Sequence, residues 1–494
     1  MRRISVLAAA AMSVALAACG GDDNNAAASN GNNGNNGGTT PPIEQPQGGA
    51  TPTKNVVFFL GDGMGMTTLT AARIYKVGEE GDLTIDTMPE SGFVRTYSND
   101  AQVTDSAPSM AAYMTGVKMN NEVISMTPET SAVDANGKAY VSGADSTCPA
   151  TGNGKSVPTL LEQMKAAGYG TGVVTTTRIT HATPAATYAH ICHRDGENAI
   201  AAQLVPKGAG FNSALTDGVD VIFGGGRQHF LATAAGGKRT DGRDLVGEFK
   251  TAGYSYAASK SDFDKITASS AKVVGLFNAR HMDYDLDRDP EKEPSLAEMT
   301  GKAIDVLAAK KKGFFLMVEG GRIDNALHET TARKALQDTV AFDSAIRGAI
   351  DKLNTIDPGL KNTLIVVTAD HDHTLVLNGY AARTGKTSDS NPGVLGLLRS
   401  YVDGLLAKDT GGNPFTIIGF GNGENRQATR TALTDAQVFD KTYHQEATIP
   451  VAAGSETHGG ADVFLGAIGK GAESFTGVIE NTAVFGLIRN AMGL

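Results

Sequence analysis

Three apolar runs constrain this chain more than anything else in it. Asn55-Val-Val-Phe-Phe-Leu60, Phe314-Phe-Leu-Met-Val318 and Leu364-Ile-Val-Val-Thr-Ala369 are continuous, apolar and rich in β-formers. Each reads as a strand buried on both faces, as in a parallel sheet. A carboxylate follows each run almost at once: Asp62, Glu319 and Asp370. Asp62 lies within Gly61-Asp-Gly-Met-Gly65, where the glycines permit a tight turn and leave room for a ligand. Ligands of open α/β sheets bind at the carboxyl ends of the strands. One such carboxylate can cap the next helix. Several of them, taken together with His328, His371 and His458, point to bound metal.

The rest of the chain alternates in the same way. Further strands are read at 172–176, 219–223 and 461–467. Helices are read at 66–76, 156–168 and 295–309, from Asp324 on toward Leu353, and at the end of the chain. This alternation predicts an α/β fold: a central, mostly parallel sheet flanked by helices. Residues from about 374 to 450 carry weak patterns and many Gly, Thr and Asn, and are read as an inserted lobe. A chain of 494 residues is long enough for a large core. Its net charge of −10 argues against a nucleic-acid partner. No internal apolar run reaches the length of a membrane span.

The N-terminus reads as a targeting segment. Arg2 and Arg3 precede a short apolar stretch that ends in Leu16-Ala-Ala-Cys19-Gly20. This resembles a bacterial lipoprotein signal, with residues 1–18 removed and Cys19 lipidated. That implies an exported protein anchored to a bacterial membrane, facing the periplasm or the cell surface. An ordinary secretory signal is the alternative. Residues 19–53 are rich in Gly, Asn, Ala, Thr and Pro and read as a disordered tether. Its reach would be roughly 30 Å. Residues 54–494 are then the folded domain. The two remaining cysteines, Cys148 and Cys192, suggest a disulfide outside the cytoplasm. Two separate buried thiols are the other reading.

The candidate chemistry centres on Thr104-Asp-Ser-Ala-Pro-Ser109, followed at once by the helix-like Met110-Ala-Ala-Tyr-Met114. Ser106 would lie at a helix N-terminus, where free N–H groups and the dipole favour an anion. A plain helix cap is the bland reading of this stretch. A serine needs a base or a metal to become a nucleophile near neutral pH. Asp324 and His328, spaced i,i+4, share one helix face, which suits chelation of one ion. Gly224-Gly-Gly-Arg227 lacks a phosphate-loop pattern and reads as packing. The acidic stretch 282–293 reads as a solvated loop or a calcium site.

Five motifs carry a family resemblance, in order along the chain. They are Gly61-Asp-Gly-Met-Gly65, Asp105-Ser-Ala107, Glu319-Gly-Gly-Arg-Ile-Asp324 with His328, Thr368-Ala-Asp-His371 and Glu456-Thr-His-Gly-Gly460. Together they resemble the alkaline phosphatases, dimeric α/β metalloenzymes that hydrolyse phosphate monoesters with two zinc ions and one magnesium. The resemblance implies that Ser106 becomes phosphorylated. Asp324, His328 and His458 would hold one zinc. Asp370, His371 and Asp62 would hold the other, beside Ser106. Asp62, Thr183 and Glu319 would reach the magnesium. Arg194 and Asp105 would hold the substrate, Arg194 by clamping phosphate oxygens. Oxygen-only ligands suit magnesium, and mixed carboxylate and imidazole ligands suit zinc.

Some positions depart from relatives. His181 stands where some members have Asp and would touch the magnesium water shell. Asn325 replaces a Lys or His, and His373 lies near the site without an assigned ion. Asn278 stands where the Glu of a calcium site would be. Ser106-Ala-Pro-Ser109 also resembles a sulfatase signature, but Met110 occupies the place of its arginine. A phosphodiesterase of the same superfamily is the alternative enzyme. A non-catalytic metal-binding lipoprotein is the alternative of another class.

Overall fold

The computed structural model describes residues 52–494. The leader 1–18, Cys19 and nearly all of the tether lie outside the described residues.

The strands, in chain order, are β1 (Asn55–Gly61), β2 (Glu90–Arg95), β3 (Gly170–Arg178), β4 (Val221–Gly225), β5 (Ser255–Ala257), β6 (Val273–Leu276), β7 (Phe314–Gly320) and β8 (Thr363–Ala369). They continue with β9 (Asp372–His373), β10 (Leu375–Leu377), β11 (Ile418–Gly423), β12 (Ala447–Pro450), β13 (His458–Gly459), β14 (Val463–Gly469) and β15 (Gly477–Glu480). Ten of them form one sheet in the order β15-β2-β14-β8-β1-β7-β3-β4-β6-β5. Only β14 runs against its neighbours, pairing antiparallel with both β8 and β2.

The three apolar runs lie side by side at the centre as β8, β1 and β7, and β7 and β8 are buried along their whole length. Register does the rest. Leu60 pairs with Glu319 on one side and Thr368 on the other, and Gly61 pairs with Gly320 and Ala369. Strands about 4.8 Å apart that end in register therefore deliver Asp62, Glu319 and Asp370 to one edge of the sheet.

Helices cover both faces. The helix Leu296–Ala308 starts with a capping box between Ser295 and Glu298, and it packs on Ala332–Ile356. The helix bearing Asp324 does not run on to Leu353. It spans Arg322–His328 and is separated from Ala332–Ile356 by a break. Thr330 sits in that break at φ 55°, a left-handed turn that the 3.6-residue pattern does not reveal. The helix read at 156–168 is shorter, Leu160–Ala166. Thr159 caps it, in a capping box with Glu162. Between β9 and β13 a separate three-stranded sheet, β10-β11-β12, carries the Gly- and Thr-rich stretch.

Cys148 and Cys192 are joined by a disulfide with Cα atoms 5.9 Å apart. It closes a loop of sequence separation 44. Loop-closure entropy of that size makes its reduction cost about 3–4 kcal/mol. Melting of the native and the reduced protein measures this. Equal melting temperatures would contradict it.

Candidate active site: a serine among three ligand clusters

Ser106 is the first residue of the helix Ser106–Thr115, every residue of which is buried. Asp105 caps it, and its carboxylate accepts the N–H of Ala107 at 2.6 Å. Two bonds tie this helix to the end of β8. Ser109 Oγ donates to the carbonyl of Asp370 at 2.6 Å, and Tyr113 Oη donates to that of Ala369 at 2.8 Å. The Ser106 hydroxyl is thereby held 3.2 Å from His371 Nε2 and 3.5 Å from Asp62 Oδ1.

Three groups of potential ligands lie together, the expected residues joined by His373 and His181: Asp324, His328, His373 and His458; Asp62, Asp370 and His371; and Asp62, His181 and Glu319. In the first group His328 and His458 face each other through their Nε2 atoms, 3.2 Å apart. The Nδ1 of each meets a backbone carbonyl, that of Glu456 for His328 and that of Thr104 for His458. A carbonyl accepts, so each Nδ1 carries the proton and each Nε2 presents a lone pair. Two lone pairs pointing at one spot, with Asp324 Oδ1 3.2 Å from one and 3.6 Å from the other, suit a shared cation.

His373 differs from them. Its Nε2 lies 2.9 Å from Asp324 Oδ1 and its Nδ1 lies 2.6 Å from Glu456 Oε2. Burial opposes its charge, but Glu456 and Asp324 lift it to about 10. Both nitrogens are thus engaged by carboxylates, which suits orienting Asp324 rather than ligation. His458 reaches the site through a short ribbon: β13 pairs with β9, setting His458 opposite His373.

The second and third groups are rich in carboxylate. Burial, then the neighbouring Asp370, Asp324 and Glu319, raises Asp62 well above the ordinary range. Burial foremost also pushes Glu319 and Asp370 up to about 7. Glu319 Oε1 and Asp370 Oδ2 are buried without a hydrogen-bond partner. Crowded, orphaned carboxylate oxygens of this kind fit divalent cations. Thr183 Oγ1 donates to Asp62 Oδ2 at 3.1 Å.

Arg194 completes the site. Its Nη1 lies 3.0 Å from Asp105 Oδ1 and its Nη2 3.0 Å from His181 Nε2. Burial works against its charge, and the carboxylates of Asp105, Glu122, Asp62 and Asp324 more than offset that, so the guanidinium stays charged. Asn325 accepts from Arg322 Nη1 at 2.7 Å and reaches Asp324 Oδ2 only weakly, at 3.4 Å.

Some contributors escaped the sequence reading. Thr175 and Thr177 both donate to Glu319 Oε2, the latter at 3.2 Å, and so aim Oε1 inward. Their i,i+2 spacing on β3 was the available signal. Glu456 lies within a recognised motif, but only the fold shows that it backs His373. None of the three groups draws on residues 282–293, and Asn278 donates to Glu293 at 2.6 Å.

The alkaline phosphatase sequence profile matches residues 53–494. The chain belongs to the alkaline phosphatase family. It is 35% identical to the membrane-bound alkaline phosphatase of Bombyx mori, over 87% of this chain and 78% of that one. It is also 35% identical to the human tissue-nonspecific isozyme, over 87% of this chain and 82% of that one. In fold it is similar to the alkaline phosphatase of Thermus thermophilus, with a TM-score of 0.62 and 23% identity over 90% of this chain and 92% of that one. The alkaline-phosphatase-like α/β fold read from the sequence is therefore present, and the protein is a phosphoric monoester hydrolase of a metal-dependent family. No helix of the described residues is long and apolar enough to cross a membrane.

Proposed function

We propose that the protein is an alkaline phosphatase that releases inorganic phosphate and an alcohol from phosphate monoesters through a phosphoserine at Ser106. The observation that carries this reading is the placement of one buried helix-N-terminal hydroxyl beside both His371 and Asp62, where two of the three ligand groups meet. Asp324, His328 and His458 would hold one zinc, Asp62, Asp370 and His371 the second, and Asp62, Thr183 and Glu319 a magnesium, with His181 beside it. When bound, these ions would supply Lewis-acid stabilisation of the serine oxygen, the leaving oxygen and an attacking water.

The chain's own residues do the rest. The helix N-terminus at Ser106 offers N–H groups and positive potential to the phosphoryl oxygens. Arg194 presents a planar fork to two of them, and Asp105 fixes its orientation. His373, held by Glu456, keeps Asp324 pointing inward. The leader 1–18, lipidation at Cys19, the tether 19–53 and a catalytic domain 54–494 with a lobe at about 374–450 belong to the same proposal. So do an exported location and a homodimer.

A substrate panel tests it. p-Nitrophenyl phosphate should be turned over at alkaline pH far faster than the bis-ester or the sulfate. A preference for the bis-ester would favour the phosphodiesterase alternative, and inertness toward all three would favour a metal-binding lipoprotein. Arg194→Lys keeps the charge and loses the fork. Inorganic phosphate should then inhibit roughly tenfold or more weakly, with metal content unchanged. Undiminished inhibition would count against the clamp.

A further inference from the structure

Arg194 lies in a turn, between the bridge that pairs Ile191 with Ile124 and the helix Glu197–Gln203. Turns are the mobile parts of a fold, so a side chain that must meet phosphate with both arms needs its turn fastened. One fastening is the main chain. The N–H of Arg194 donates to the carbonyl of Glu122 at 2.8 Å, and Ile191 and Ile124 exchange two bonds of 3.0 Å.

The other fastening is a short strap, residues 144–148, that spans the turn. At one end Cys148 is joined to Cys192, just before Arg194, and the Cys192 N–H points at Cys148 Sγ, 3.0 Å away. At the other end Asn198, just beyond the turn, is held twice. Its N–H donates to the carbonyl of Ala144 at 3.0 Å, and its Nδ2 donates to Asp145 Oδ1 at 2.6 Å. Between the two ends, a Cβ on Gly196 would lie 3.4 Å from the carbonyl oxygen of Ser146. Asp145 and Thr147 are exposed and Cys148 is half-buried, so apolar packing adds little to the strap. The disulfide and the Asn198 bonds are what hold it.

We infer that this strap, locked by the Cys148–Cys192 disulfide, positions Arg194 and thereby sets the affinity for phosphate. This rests on the reading of Arg194 as the phosphate clamp. Asp105 and His181 hold the guanidinium at its tip, while the strap holds the turn from which it springs. A small displacement of a positioning group costs far more in binding geometry than in folding.

The test uses the metal-loaded enzyme well below its melting temperature, with inorganic phosphate as a competitive inhibitor and zinc content measured alongside. Cys148→Ala with Cys192→Ala removes the lock and leaves no free thiol beside the turn. Its inhibition constant should rise about three- to tenfold, with zinc unchanged. Asp145→Ala loosens only the far end and should raise the constant about two- to threefold. In an Arg194→Lys background, removing the disulfide should add less than about twofold, because the strap acts through the fork. A disulfide that only stabilises the fold would lower the melting temperature and leave the inhibition constants alone, and that result would overturn the inference. So would an equal loss in both backgrounds, which would place the effect elsewhere. If the cysteine variant does not fold, the wild type reduced with a phosphine takes its place, and Asp145→Ala decides with it. Failure of the clamp shows separately: Arg194→Lys alone would then leave phosphate inhibition unchanged, and this inference would fall with it.

Discussion

Ser106→Ala should keep its metals and lose turnover by about a thousandfold or more. The hydroxyl is the one nucleophile that the buried helix 106–115 sets against His371 and Asp62, and alanine removes it without disturbing the cap at Asp105. The contact of Ser109 with Asp370 and that of Tyr113 with Ala369 remain, so the helix stays in place. Acid quenching after incubation with labelled phosphate should trap phosphoserine on the wild type and nothing on the variant. Label that persisted on Ser106→Ala would place the covalent step elsewhere. Loss of zinc along with activity would show that the serine holds the metal site together rather than attacking.

His458→Ala should lose about one of two zinc equivalents per chain. The lone pair on His458 Nε2 is one of two facing imidazole lone pairs, and His328 with Asp324 alone makes a poor site. Asp62, Asp370 and His371 form a separate group, so the second zinc should stay. Metal that binds only the folded chain stabilises it by mass action, by about 3–4 kcal/mol at a hundred to a thousand times its dissociation constant. The variant should therefore melt lower, but by less than chelator, which strips every ion, lowers the wild type. Metal analysis decides the matter: full zinc content with normal turnover in His458→Ala would remove the two-site assignment.

The sheet and its catalytic edge were legible because both rest on local signals. Continuous apolar runs gave β1, β7 and β8, and a carboxylate after each marked the end that matters. Asp324 and His328 were legible as an i,i+4 pair. The break at Thr330 was not, because a left-handed residue without glycine leaves no mark on hydrophobic spacing. Nor were β2 and β15, which are partly exposed and short and take their order in the sheet from long-range pairing. The orienting roles of Thr175, Thr177 and Glu456 depend on which oxygen faces which neighbour, and no sequence pattern encodes that.

The ribbon of β13 and β9 has a bearing on how the protein comes to be made. His458 is separated by 130 positions from His328 and by 354 from Thr104, its partner at Nδ1. A growing or clipped chain that stops short of it can offer Asp324 and His328, but no closing imidazole. Contacts of such long range form late, after their loop entropy has been met. Uptake of an ion by this group would therefore require a chain that reaches at least His458 and has paired β13 with β9. Metal retention would then report that this long-range pairing has formed, and the loaded protein should resist proteolysis better than the metal-free one.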